Sequence, residues 1–542
     1  MSSPGNDVEP GGSSLASDLR KVARNSYLKI ASGVVSGIGK LALTVVVTRA
    51  FGASGAGAFF SGLAVFTLAS LASELGADTG FVRTISRFRT LGRVGDIRRT
   101  LVIGLVPVFL LSSALAVALM VFASPLTRAI AGGAGSGQVV MYIRTLAPFL
   151  PFAVLSTVTL SGSIGFGTVV PSVLVDNVGK PAVRPVLALI VVGLGLGPVA
   201  LALSWALPIV GGLAVGMAFL ISLTRKAEDL DTIGGVSRAE PPPSSYRKLG
   251  AEFWSFSAPR AFASVLEALL VRVDILLVGG LATTTLAGVY AASSRMLGLG
   301  GFALGAVILA ISPQISAALA VQDHDRDRGL YQTCTSWLMI PSWPIFFLLA
   351  IFAPLILRIL GTQFEQGRLV LTMLSLSMLV SMATGPVTSV LLMGGFSVWN
   401  LVNSALGVGA TVGLNVWLVP RFGLTGAAVA GSVSIIGVQV AAALEVWALL
   451  GLAPLGRGSA VVALASVCCV AIPSLILRLL LGPTLLSLVL SLIVSVPAYF
   501  LILRRYQTAL RFSLLREALR RRRAGSGDLV EEVPAGGGVR ER

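Results

Sequence analysis

Residues 26–50, SYLKIASGVVSGIGKLALTVVVTRA, and residues 57–81, GAFFSGLAVFTLASLASELGADTGF, decide the fold. A helix needs roughly 20 apolar residues to cross about 30 Å of hydrocarbon, and each run supplies them without a break. The runs are continuous rather than alternating, which excludes a β-barrel. Working outward, the same reading gives fourteen predicted spans: 26–50, 57–81, 100–123, 140–163, 171–195, 198–223, 252–280, 285–317, 331–355, 368–393, 397–419, 423–450, 459–480 and 484–503. Residues 1–25 are polar, carry no apolar core of a signal peptide and read as a tail.

Composition agrees. Of 542 residues 55% are hydrophobic and 12% charged, with a mean hydropathy of +0.89. Soluble domains carry about twice that share of charge, so a soluble enzyme, a disordered chain and a nucleic-acid binder are excluded despite a net charge of +17. Cys334, Cys468 and Cys469 lie in apolar runs without paired spacing, which supports neither disulfides nor zinc. The single histidine, His324, has no partner for metal or catalytic work, and no nucleophile or metal constellation can be assembled. GIGK at 37–40 lacks the leading Gly (Val34) and the trailing Ser/Thr (Leu41) of a phosphate loop and sits inside a span. Neither cofactor nor enzymatic activity is expected.

The basic residues set the orientation. Most of the 41 Lys and Arg fall in the N-terminal tail, the loops 82–99, 224–250 and 324–330, and the tail from Arg504. The opposite side carries Arg49, Arg128, Arg358, Arg368, Arg421 and Arg478. Basic loops stay cytoplasmic, so both termini are expected inside, in agreement with an even number of spans. The polar break at 224–250, with its Pro triplet, reads as a linker. A faint repeat, GASGAGAF at 52–59 and ATTTLAGVY at 282–290, supports that division. The expectation is an all-α integral membrane protein with about 14 transmembrane helices. Two six-helix lobes, 26–223 and 251–450, are related by a pseudo-twofold along the membrane normal. A cytoplasmic tail (1–25), two extra helices (451–505) and a basic cytoplasmic tail (506–542) complete it.

The chemistry lies in charges within the spans. A charge at mid-bilayer costs about 2.5–3.5 kcal/mol even on insertion scales, so these side chains must face water, a ligand or one another. The basic ones are Lys40, Arg144, Lys180, Arg184, Arg260, Arg272 and Arg295; the acidic ones are Glu74, Asp78, Asp176, Glu267, Asp274 and Glu445. Ser32, Ser36, Lys40, Thr44 and Thr48 recur every four residues and form one polar stripe. Asp176, Lys180 and Arg184 are four apart, and Arg260, Glu267 and Asp274 seven apart on one face, with Arg272 pointing away from Asp274. Interhelical ion pairing is the plain alternative, strongest for Arg144 and Glu445 near an interface. For the set, a cleft lined by Lys40, Lys180, Arg184, Arg260, Arg272 and Arg295 suits an anionic cargo such as a diphosphate. Glu74, Asp78, Asp176, Glu267 and Asp274 are candidates for ion coupling or gating.

Three stretches carry a resemblance. TRAFGASGAGAFFSGLAVFTLASLASELGADTGFVR (48–83) resembles the opening of polysaccharide and oligosaccharide flippases of the multidrug/oligosaccharidyl-lipid/polysaccharide exporter superfamily. VRVDILLVGGLATTTLAGVYAASSRMLGLGGFALGAVILAISPQIS (271–316) is similar to the start of their second lobe, with Arg-x-Asp, Gly-x-Tyr, a later Arg and Pro-Gln-x-Ser in order. LNVWLVPRFGLTGAAVAG (414–431) resembles their turn between the eleventh and twelfth spans. The resemblance implies alternating-access transport of a polyprenyl-diphosphate-linked oligosaccharide to the outer leaflet of a bacterial inner membrane. Arg49, Asp274 and Arg295 are the residues matched by position. It also implies membrane lipids and enzymes of glycan assembly (glycosyltransferases, a polymerase) as partners, and a monomer. A lipid-II-type flippase, a drug/cation antiporter and a non-transporting scaffold for glycan assembly are the alternatives.

Overall fold

The structure, a computed structural model, describes residues 12–130, 136–233, 245–301, 324–507 and 510. Among them the chain is nearly all helix, with no strand. Apolar spans have this outcome because hydrocarbon offers no hydrogen-bond partner, and a helix satisfies its own backbone.

Nine described helices are long and apolar enough to cross a membrane. That number is compatible with fourteen spans for identifiable reasons. Gly12–Glu74 and Ser397–Leu450 each carry two predicted spans, joined at a kink on Gly52 (φ 66°) and Gly423 (φ 54°). Only glycine adopts such backbone angles without strain. The fifth predicted span is interrupted by a π-turn, Val173–Gly179, that feeds Lys180–Gly193. The seventh, Tyr246–Leu281, is long but heavily charged. The eighth is described only to Gly301. Pro313–Ser316, the Pro triplet at 241–243 and the tail beyond residue 510 lie outside the described residues.

The second span breaks at Leu75 and Gly76 (φ 51° and 70°), Leu75 being the one non-glycine at positive φ among the described residues. The chain resumes as Ala77–Thr90, which buries Phe81, Ile85 and Phe88 and exposes Arg83, Arg87 and Arg89. The break brings Gly76 onto the seventh span: a Cβ there would lie 2.2 Å from the Ser257 carbonyl oxygen.

Spans one to six and seven to twelve meet at both ends of the bundle. At the Arg-rich end Arg87 pairs with Glu252 at 2.7 Å, Arg93 reaches the same carboxylate at 3.9 Å, and the Arg83 guanidinium covers the Phe256 ring. At the opposite end Gly57 and Gly288 bring the second and eighth spans into backbone contact. A Cβ on Gly57 would sit 1.8 Å from the Thr284 oxygen, and one on Gly288 2.0 Å from that of Ala53. Beside them Arg49 Nε donates to the Ile359 carbonyl at 2.7 Å. Small residues permit this approach where lipid gives helices no hydrophobic reason to associate. The last two spans, Arg457–Leu481 and Leu485–Arg505, pack against each other, the first of them packs on the ninth, and Tyr499 donates to the Ile340 carbonyl at 2.9 Å.

Candidate functional site: cations within the spans

The polar stripe of the first span folds as its period dictates. Ser32, Ser36, Thr44 and Thr48 are buried, and Thr44 and Thr48 return their hydroxyls to the backbone carbonyls of Lys40 and Thr44. Lys40, on the same stripe, is exposed. Its ammonium nevertheless lies within electrostatic range of Arg184, Arg272 and Arg295, with Asp176 the one acidic group in that range. One exposed lysine of the first span thus lies near cations of the fifth, seventh and eighth spans.

The sequence named six cavity cations, and the structure treats them in two ways. Lys180 is neutralised: its ammonium meets Asp176 at 2.7 Å and Ser156 Oγ at 3.1 Å, inside the first half. Arg260 meets Glu267 at 3.4 Å along its own helix. The other four, Lys40, Arg184, Arg272 and Arg295, make no ion pair among the described residues. Arg184 stacks on Trp205, 3.9 Å from the ring centroid, and Nε donates to the Trp205 carbonyl at 3.0 Å. Arg295 stacks on Phe60 at 4.1 Å, and its buried Nε has no hydrogen-bond partner among the described residues. Arg272 makes no hydrogen bond among them either, as expected of a side chain two positions from Asp274 and thus on the far side of the helix.

The acidic residues also divide. Asp274 is held in the second half, accepting from Tyr290 Oη at 2.9 Å and from Asn415 Nδ2 at 2.8 Å. Asn415 Oδ1, buried beside it, has no partner among the described residues. Gly431 leaves room there, since a Cβ would lie 2.9 Å from Tyr290 Oη and 3.5 Å from Asp274 Oδ2. Glu74, 7% exposed, ends the helix at the Leu75–Gly76 break, without an ion pair and within range of Asp78 and Asp176. Glu445 accepts from Asn403 at 2.6 Å. Arg144 is exposed and donates to Met120 and Ser124 at 3.3 Å, a structural arrangement. Arg49 belongs to the contact between halves rather than to this set of cations.

Sequence reasoning passed over Phe60, Trp205, Tyr290, Asn415 and Glu252. Tyr290 and Asn415 lie within the quoted motifs, whereas Phe60 and Trp205 read as ordinary apolar positions. No group of three or more His, Cys, Asp or Glu able to hold a metal occurs among the described residues, and the three cysteines are free.

Apolar helices long enough to cross a bilayer, with charged side chains set between them, define a multi-pass membrane protein. Residues 103–367 match the family described as polysaccharide biosynthesis protein. Solved structures give the same fold. A lipid II flippase MurJ in an inward closed conformation superposes with a TM-score of 0.65 at 13% identity, over 90% of this chain and 98% of its own. An inward-facing multidrug resistance MATE family transporter of the MOP superfamily gives 0.60 at 15% identity, over 79% of this chain and 99% of its own. A mutant of the Vibrio cholerae MATE transporter VcmN gives 0.54 at 15% identity, over 81% and 98%. No curated protein matches the sequence.

Proposed function

We propose that the protein is a flippase that carries a polyprenyl-diphosphate-linked oligosaccharide from the cytoplasmic to the outer leaflet of a bacterial inner membrane, rather than an enzyme. The observation that carries this reading is the set of four cations, drawn from both predicted lobes and without an ion pair among the described residues. A diphosphate supplies what they lack, and guanidinium groups bind phosphate in bidentate fashion. Lys40, Arg184, Arg272 and Arg295 hold the diphosphate; Lys180 and Arg260 join only on leaving Asp176 and Glu267. The Arg-rich face is cytoplasmic, by the positive-inside bias. Spans 26–223 and 251–450 rock as lobes, and the prenyl chain stays in lipid.

Cation coupling is assigned to Asp274 with Tyr290 and Asn415, where an unpartnered carbonyl oxygen and a carboxylate converge. Glu74, Asp78 and Asp176 form a second acidic group beside the inner contact of the lobes. A lipid-II-type cargo presents the same diphosphate and would use the same four cations. A drug/cation antiporter fits less well, because an organic cation gains nothing from them. Glycosyltransferases of the same pathway are the partners this reading implies.

The test is flipping of a fluorescent polyprenyl-diphosphate glycan in proteoliposomes. Lys40→Ala and Arg295→Ala each reduce flipping at least tenfold while insertion is unchanged; wild-type rates in both variants refute the binding role.

A further inference from the structure

Among the described residues, Arg295 is the one of the four unpaired cations that stacks on a ring from the other predicted lobe. It lies on the eighth span, while the ring beneath its guanidinium, Phe60, lies on the second and is 1% exposed. Arg184, by contrast, stacks on Trp205 of its own half and also hydrogen-bonds there. An aromatic face attracts the charge of Arg295 but satisfies none of its N–H groups, and its Nε stays unpartnered. Arg272 and Lys40 add repulsion.

The position of this contact matters. Phe60 follows Gly57 by three residues and Arg295 follows Gly288 by seven, so the stacked pair sits directly beneath the glycine contact that closes the outer end. Helical side chains lean toward the N-terminus of their helix, which for the eighth span is that same end. Arg295 therefore ties the second and eighth spans together just below the glycine contact. A diphosphate below offers charge-assisted hydrogen bonds, which a ring cannot match.

We infer that Phe60 is a positioning residue for Arg295, and that their contact is the release of the outer seal. An anion held by the four cations draws Arg295 off the ring, and the outer ends of the second and eighth spans are then free to part. This rests on the anion-carrier reading above and adds to it the step by which cargo opens the exit.

The experiment uses the full chain in nanodiscs, with Cys334, Cys468 and Cys469 replaced by alanine. Spin labels are placed at Gln138→Cys and Gln366→Cys, exposed positions on the two halves at the outer end. Distances are read by double electron–electron resonance, with farnesyl diphosphate as the probe. In wild type the probe adds a longer-distance population. Phe60→Leu shows that population without the probe, its ratio to the closed one raised about three- to tenfold, and Phe60→Tyr keeps the wild-type distribution. Arg295→Gln opens to the same extent, ignores the probe, and gains nothing further from Phe60→Leu. A Phe60→Leu distribution identical to wild type overturns the inference, as do effects that simply add in the double variant. A probe response that persists in Arg295→Gln overturns the release alone. A wild-type protein that ignores the probe overturns the release and the cargo reading together.

Discussion

Gly288→Ala is the sharpest perturbation the structure offers. The added methyl would lie 2.0 Å from the Ala53 carbonyl oxygen, and that oxygen belongs to backbone that cannot rotate away. Restoring an ordinary contact of 3.4 Å requires the second and eighth spans to separate by about 1.4 Å. Forcing extra volume into a packed contact costs about 1–3 kcal/mol. If the bundle relieves it by parting at that end, the closed population falls by roughly 5- to 150-fold relative to the open one. Ser61, 1% exposed and lying beneath the seal, reports this as Ser61→Cys, through its rate of modification by a membrane-impermeant maleimide in a background free of other thiols. Labelling accelerates by that factor in Gly288→Ala, while Gly33→Ala, whose methyl meets nothing within 4 Å, leaves it unchanged. Labelling within twofold of wild type, or a clash relieved instead by a lower melting temperature with unaltered labelling, refutes the view that this contact is a gate.

Three further outcomes follow from the site and its surroundings. Glu252→Gln removes the carboxylate shared by Arg87 and Arg93 at the inner end; because Arg87 is largely exposed the effect is at most about 1 kcal/mol, seen as a modest, salt-sensitive rise in inner-end thiol accessibility. Asp274→Asn preserves shape but removes the charge that Tyr290 and Asn415 address, so flipping persists while its dependence on an imposed cation gradient disappears in proteoliposomes. In the loop between the ninth and tenth spans, the hydrogen bond from Arg358 holds the Glu365 carboxyl below its ordinary range; the contact is therefore complete at neutral pH and lost as pH falls through that lowered value, so hydrogen exchange of residues 361–367 rises only in acid.

The apolar runs were legible because period and length depend on local sequence, and every predicted span falls on helix, short breaks aside, wherever residues are described. The kinks were less so: Gly52 and Gly423 resemble many other glycines in the sequence, and only packing selects the ones at positive φ. The spacing of Asp176 and Lys180 at i,i+4 permitted the pair that forms, yet equally permitted both to face a cavity. The opposition of Arg272 and Asp274 was readable because it follows from helix geometry alone. What a single chain position could not reveal was which charge meets which helix. Phe60 and Trp205 acquire their roles from arginines 235 and 21 residues away in sequence (Arg295 and Arg184), and an aromatic residue in an apolar span carries no mark of such a partner.

The contrast within one residue class is the strongest support for the proposed anion site. The fold can neutralise an intramembrane cation, since it supplies Asp176 to Lys180 and Glu267 to Arg260. Among the described residues no carboxylate pairs with Lys40, Arg184, Arg272 or Arg295, although a charge at mid-membrane costs about 2.5–3.5 kcal/mol. Glu74 and Asp274, also within the bundle, pair with no cation among the described residues. Keeping cations and acids apart makes sense where each set meets a mobile partner of opposite sign, the cations an anionic cargo and the acids a coupling cation. A variant that places an acid among the cations tests that logic. Ser36→Glu, one helical turn from Lys40, supplies a counter-charge at a buried position; it abolishes diphosphate binding, whereas Ser36→Gln, equal in bulk and uncharged, retains it.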